Sequence, residues 1–251
     1  MQTITIEDIL KDYNIKMIPA DLPLTLESLR FESVVPYGDV LICDMSINDK
    51  RNGQLVEIQG IDRHSNAKFI NFGYIMKDEY GTIFNIDHHF RKSEFECAIS
   101  STNLAIGYVQ KYGSLRSEVT AVINHIDCDS LLSVLIMLGI LQPDLQYGEA
   151  AIAADHTGDE HPLADLLQAI EGERDFLFSI NNLFHYLNNE SPDIRALKLL
   201  EKRAKERKLA RQIVENDFRF TPCRRIAYAT STARIDGALL VALLPKLRSS
   251  C

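Results

Sequence analysis

The stretch TIFNIDHH, residues 82–89, is a short run rich in apolar and β-branched residues that ends abruptly in one acid and two imidazoles. Three other stretches share this form: DVLICD at 39–44, TAVINHIDCD at 120–129 and AAIAADHTGD at 150–159. A continuous apolar run of this length suits a strand buried on both faces, as in a parallel sheet. The polar residues at each carboxyl end then converge on one rim, where open α/β sheets place their ligands. Helical signals lie between and after these runs. SSTNLAIGYVQKYG (100–113) starts in Ser and Thr and stops at Gly113; SLLSVLIMLG (130–139) has Ser130 as a possible cap, Gly139 as a stop and an apolar surface all round, so it should be buried. The segment 191–218 opens with Ser191 as cap and Pro192 at the first helical position, and beyond it a strand over 224–232 and a helix from about Asp236 to Leu247 are expected. Strands alternating with helices predict an α/β fold: a mainly parallel sheet flanked by helices over residues 1–190, with a short helical and α/β extension over 191–251.

Composition agrees with a globular chain. Of 251 residues, 46% are hydrophobic and 25% charged, with only 12 Gly and 8 Pro, which excludes collagen-like, coiled-coil and disordered classes. No apolar run approaches a membrane span, and MQTITIEDILKDYN lacks the basic start and apolar block of a secretory signal, so a cytoplasmic location with no membrane partner is expected. Five scattered Cys without a C-x-x-C pair argue against a disulfide framework and a structural zinc site. The net charge of −8 makes long nucleic acid an unfavourable partner, although a site that holds cations reverses the local sign.

The chemistry gathers at the expected strand ends: Asp44; Asp87, His88 and His89; His125, Asp127 and Asp129; Asp155 and His156. Carboxylate and imidazole suit manganese, iron or zinc, with manganese favoured as carboxylates dominate; magnesium and cobalt fit a similar site. In HIDCD, residues 125, 127 and 129 are spaced by two, so on a strand all three side chains face one way, while Ile126 and Cys128 face the other. By the same parity Cys43 faces away from Asp44, so neither thiol reads as a ligand. One Asp or His at a strand end is commonly a cap or turn former. Four acidic tips beside an H-x-D-x-D segment exceed what capping needs. Four carboxylates at one rim repel each other, whereas two divalent cations neutralise them and leave neutral imidazoles to complete the shells. Two metals about 3.5–4 Å apart clamp the attacking and leaving oxygens of an in-line displacement at phosphorus, and a bridging water becomes hydroxide near neutral pH.

IFNIDHHF resembles the signature of the DHH phosphoesterase superfamily, and HIDCDSLLS is similar to its H-x-D-x-D-x-x-x-S segment at His125, Asp127, Asp129 and Ser133. LICDMS resembles the strand with the family's lone Asp, here Asp44, and AIAADHTGD its fourth motif, at Asp155. The resemblance covers roughly residues 35–160. It implies that Asp44 bridges two metals, that His125 and Asp127 complete the first site, and that His88, Asp129 and Asp155 complete the second. It further implies that His89 faces the substrate phosphate as donor to the leaving oxygen, and that Asp87 orients a neighbouring imidazole. In the usual family order the H-x-D-x-D segment comes first; here it comes after the DHH segment, as in a circular permutation, which keeps a sheet when the old termini lie close.

Nothing in 190–251 matches the Gly-rich, His-containing motif by which family members bind substrate. Arg224, Arg225 and Arg234 are candidate phosphate contacts there, since guanidinium forks match phosphate oxygens; ordinary surface arginines are the plainer reading. The basic run from Lys198 to Arg211, with Ile194, Leu197, Leu200, Ala204 and Ile213 as an apolar stripe, reads as a solvated amphipathic helix. Tyr74, Tyr80 and Phe90, near the DHH strand, could stack a base, but aromatic residues at strand ends are more often simply core. The expected function is hydrolysis of a small phosphate ester or anhydride (a nucleotide, short oligonucleotide or pyrophosphate-like substrate) at a dinuclear manganese centre. A non-catalytic nucleotide- or metal-binding protein and a specialised biosynthetic enzyme with the same centre are the alternatives. A homodimer would bury surplus apolar surface.

Overall fold

The computed structural model describes residues 11–19, 24–30, 34–45, 49–51, 54–56, 67–89, 99–115, 119–216, 219–220 and 227–228. Its centre is a six-stranded sheet in the order β1-β8-β2-β7-β6-β5, built from β1 (Asn14–Met17), β2 (Asp39–Cys43), β5 (Ala67–Ile70), β6 (Gly73–Lys77), β7 (Thr82–Ile86) and β8 (Val119–Ile123). β1, β8, β2 and β7 run parallel, while β6 and β5 continue the sheet antiparallel at one edge. The short hairpin β3 (Asp49–Arg51) and β4 (Gln54–Val56) forms a separate sheet.

Alternation along the strands feeds two cores. Leu41, Cys43, Ile86, Ala121 and Ile123 face a large helical layer, whereas Val40, Ile42, Ile83 and Val122 face a smaller core with Leu24, Leu29 and Val35 around α1 (Leu26–Arg30). Burial on both faces explains why β2 and β8 read as unbroken apolar runs. Tyr74 is fully buried in the smaller core, and Tyr80 packs edge-on against Tyr37 with ring centres 5.8 Å apart.

The helical layer consists of α2 (Ser101–Tyr112), α3 (Cys128–Met137), α4 (Leu145–Ile152), α5 (Pro162–Ile170), α6 (Phe176–Leu187) and α7 (Ile194–Asn216). α2 begins as its sequence directs: the Ser100 hydroxyl accepts from the Asn103 amide and the Asn103 side chain returns to the Ser100 amide. Every residue of α3 is buried, and Gly139 comes after its last turn at φ +77°. No helix among the described residues is long and apolar enough to cross a membrane.

Four expectations are corrected here. The stretch 150–159 is not a strand: α4 runs to Ile152 and passes into a π turn over Ala153–Thr157. Asp144 caps that helix by accepting from the Gln146 amide at 3.0 Å, the alanines favour it, and a short apolar run carries no period that distinguishes helix from strand. In HIDCD the strand has already ended at Ile123; Asp127 is the cap of α3 and Asp129 lies in its first turn, so strand parity does not govern these side chains. Ser130 is therefore a first-turn residue, and its amide is the donor that Asp127 accepts at 2.8 Å. α7 begins after Asp193, whose carboxylate accepts from the Arg195 amide at 2.7 Å, rather than after Ser191.

The inner stripe of α7 also differs from the expected one. Ala196, Arg203, Ala210 and Ile213 are buried, whereas Ile194 is 71% and Leu197 38% exposed. The helix is turned so that Arg203 and Arg207 reach Asp165 of α5, which makes part of the basic run structural rather than solvated. Beyond α7, β9 (Arg219–Phe220) and β10 (Ala227–Tyr228) form an antiparallel pair. Arg224, Arg225, Arg234, Phe90, His64 and the segment 236–247 lie outside the described residues.

Candidate metal centre

β2 lies between β8 and β7, so the residue after its carboxyl end sits between the groups delivered by the two neighbours. That residue is Asp44. Its amide still donates to Ile86 O at 3.0 Å, but its φ of +52° ends the strand in the left-handed region. That conformation costs most L residues about 1–2 kcal/mol, and Asp, like Asn, adopts it more readily than most; such residues cluster at functional sites. The Asp44 carboxylate is buried, and Ser101 Oγ donates to its Oδ1 at 3.1 Å.

The first turn of α2 organises two more groups. The Ser101 and Thr102 amides donate to the two oxygens of Asp129 at 2.7 and 2.6 Å, and Thr102 Oγ1 donates to Asp129 O at 3.1 Å. A helix start offers unpaired amides and a positive dipole end, which suits a fully buried carboxylate. Ser101 Oγ also accepts from the His88 amide at 3.3 Å, tying α2 to the loop after β7. Sequence reasoning misses Ser101 and Thr102 as site residues. Their sequence signal is that of a helix start, and the carboxylates they hold are 57 and 27–28 residues away.

The β7 end supplies the imidazoles. His88 Nε2 lies 3.3 Å from Asp44 Oδ1 and 3.7 Å from Asp129 Oδ2, and is buried. His89 turns outward, its side chain 51% exposed, with Nδ1 at 2.7 Å from the buried Asp87 carboxylate. The β8 end adds His125, whose Nε2 is 3.1 Å from Asp44 Oδ2 and 3.3 Å from Asp127 Oδ2. The other ring nitrogen of His125 bonds Asn124 Oδ1, an acceptor that keeps a proton on Nδ1 and leaves Nε2 as the atom that could face a metal. Asp127 divides its labour: Oδ1 caps α3 while Oδ2 faces His125.

Asp155 comes from the π turn, which Gly158 closes at φ +61°. Such turns inside helices are frequent at functional sites. α4 comes close enough to α2 for this because residue 148 is glycine; a Cβ there would meet Asn103 Nδ2 at 2.2 Å. His156 is not among the candidate ligands: its Nε2 is 3.0 Å from Ile99 O, and its ring lies edge-on to His88 at 5.2 Å. His161 is the cap of α5. Cys43 and Cys128 are buried in the helical core, and burial pushes both thiols well up, so neither offers a thiolate.

Among the described residues, three sets of side chains place one potential ligand atom each within 4.8 Å of one another: Asp44, His125 and Asp127; Asp44, His88, Asp129 and Asp155; and Asp44, His88 and His89. Asp44 belongs to all of them. This buried Asp and His cluster can hold a metal ion. Comparison with protein-family models, curated proteins and solved structures finds no match to this chain.

The charges are unbalanced without a cation. Burial and then the charge of Asp44 push Asp129 up to about 7. Burial followed by the charges of Asp129, Asp127 and Asp44 pushes Asp155 up to about 10; the residue as a whole is exposed, so the crowding of its carboxylate among the others sets this affinity. Burial opposes charge on both imidazoles, yet hydrogen bonds to Asp127 and Asp44 raise His125 to about 10, and the bond to Asp44 raises His88. At Asp44 burial is outweighed by hydrogen bonds from His125 and His88, which hold it below the usual carboxylate range. The cluster thus keeps protons that a cation would displace.

These shifts fix the sign of the pH dependence. Above the ordinary carboxylate value of 3.8 the unfolded chain has lost protons that Asp129 and Asp155 retain when folded, so stability of the metal-free protein falls as pH rises from about 4 through 7. Raised His88 and His125 continue the loss above 6.5. Cation binding needs the deprotonated ligands and grows over the same range. The difference between thermal midpoints with excess manganese and with chelator should therefore widen steadily from about pH 5 to 8. A constant difference would show that these groups do not hold the ion.

Proposed function

We propose that this chain is a metal-dependent phosphoesterase of the DHH type, hydrolysing a small phosphate ester or anhydride with a pair of divalent cations, manganese before magnesium, cobalt or zinc. The observation that carries the reading is that Asp44 is common to two otherwise separate ligand sets, one with His125 and Asp127 and the other with His88, Asp129 and Asp155. Four carboxylates and two imidazoles without a thiolate form a hard to borderline donor set, and two divalent ions would balance its four negative charges. When bound, such a pair supplies a nucleophilic water near neutral pH and neutralises charge growing on phosphoryl oxygens.

The chain's own residues would do the rest. Ser101 fixes the Asp44 carboxylate and the α2 amides fix Asp129, so the ligand oxygens need no reorganisation when substrate arrives. Asp87 accepts from Nδ1–H of His89 and orients the half-exposed ring, so that in the doubly protonated imidazole donation toward a leaving oxygen falls to Nε2–H. Buried Cys43 and Ile86 beneath the rim keep Asp44 and Asp87 anchored on a rigid sheet.

The test is metal content of the purified protein, combined with manganese-dependent turnover of pyrophosphate, cyclic dinucleotides and short oligoribonucleotides. Two ions per chain with release of phosphate or nucleotide from one of these are expected. Two ions without turnover would favour a biosynthetic enzyme using the same centre, and a protein that takes up no metal would overturn the assignment.

A further inference from the structure

Asp155 is the one ligand of the proposed centre that stands on a helix interrupted by a π turn, and its backbone is held from outside on both sides. Gln168 of α5 donates through Nε2 to Ala154 O at 3.0 Å, immediately before Asp155. Arg207 of α7 donates to Gly158 O, the residue that closes the turn. Arg203 donates to the Gln168 side-chain oxygen, and both arginines reach Asp165, with Arg203 Nε at 3.3 Å. A π turn shifts the regular i→i−4 pairing, so its carbonyls need such partners. Arg203 is buried and Arg207 largely so, which is uncommon for arginines on a basic helix, and this network offsets part of their burial cost.

We infer that Gln168, Arg203 and Arg207 form a positioning clamp by which α7 sets Asp155 for the second of the two cations. The inference rests on the two-cation reading. None of the three belongs to the candidate ligand sets; Gln168 and Arg207 act through the Ala154 and Gly158 carbonyls, and Arg203 through Gln168. Outer partners of metal ligands are worth about tenfold to a hundredfold in affinity. The long basic helix is thereby given a task other than contact with a polyanion, and the affinity of one ion, not both, depends on it.

The test is manganese titration of the full chain, with free ion followed by electron paramagnetic resonance. The variants are Gln168→Glu and Arg207→Lys, with Asp155→Asn as reference and Arg211→Gln as control. Gln168→Glu keeps an oxygen for Arg203 but removes the donor to Ala154 O, and Arg207→Lys loses the planar fork whose two nitrogens reach Gly158 O and Asp165. Both should bind one ion as the unaltered protein does and the other about tenfold or more weakly, approaching Asp155→Asn. Arg211→Gln, which removes only the exposed pair with Glu160, should bind both normally. Folded variants with both affinities unchanged, or with both weakened equally, overturn the clamp. An unaltered protein that takes a single ion overturns the two-cation reading itself, and the clamp with it.

Discussion

Asp44→Asn should fold and hold neither cation. Asn has the same shape, tolerates the left-handed φ of +52°, and can still accept from Ser101 Oγ, so neither backbone nor packing should be disturbed. What is lost is the charge shared by the sets containing His125 and Asp127 on one side and His88, Asp129 and Asp155 on the other. Removing several kcal/mol of charge stabilisation at about 1.36 kcal/mol per decade lowers turnover by about 10³-fold or more. Metal analysis after dialysis, steady-state rates and circular dichroism together decide the matter. By contrast Asp127→Asn and Asp155→Asn should each cost a single ion, because each belongs to one set. An Asp44→Asn protein that retained two ions would remove Asp44 from its shared position.

His89→Ala is expected to keep both ions and lose about 10²–10⁴ of the rate, the usual worth of a positioned proton donor. The ring is half exposed and its Nδ1 is engaged with Asp87 at 2.7 Å, whereas His88 next to it is buried against Asp44 and Asp129. His89 Nδ1 is also 3.8 Å from Asp44 Oδ1, close enough for a ligand role to be tested by the same variant. Loss of an ion together with the rate would make His89 a ligand; loss of rate alone makes it the donor. Asp87→Asn should act in the same direction and less strongly, since it loosens the ring without removing it. His88→Ala, in turn, should lose the ion of the second set.

Much of this arrangement is legible in residue order. The runs at 39–43, 82–86 and 119–123 are strands because a doubly buried parallel strand admits little besides apolar and β-branched residues. Asp44, Asp87 and His88 come directly after them, at the rim where parallel strands end. Apolar content and spacing fail where they cannot separate helix from strand. Asp155 reads as a strand-end residue and sits on a π turn, and Asp127 and Asp129 align by strand parity but are gathered by the start of α3. Ser101 and the Arg203–Gln168 contact are not legible, since both depend on the packing of one helix against distant elements. Parity excludes Cys128 for the wrong geometric reason; the thiol is inert because it is buried.

The sheet order also has a consequence for the nascent chain. β2 and β7 are neighbours and can pair once residue 86 has been made, but β8 must enter a slot between β1 and β2, contacts of long sequence separation that form slowly. That late strand leads directly into His125, Asp127 and Asp129, and Asp155 comes later still. A half-made chain therefore presents a passing cation with Asp44, His88 and His89 alone, one of the sets that meet at Asp44 but neither of the two proposed to hold the ion pair. Loading of both proposed ions belongs to the finished fold, after the central slot has been filled.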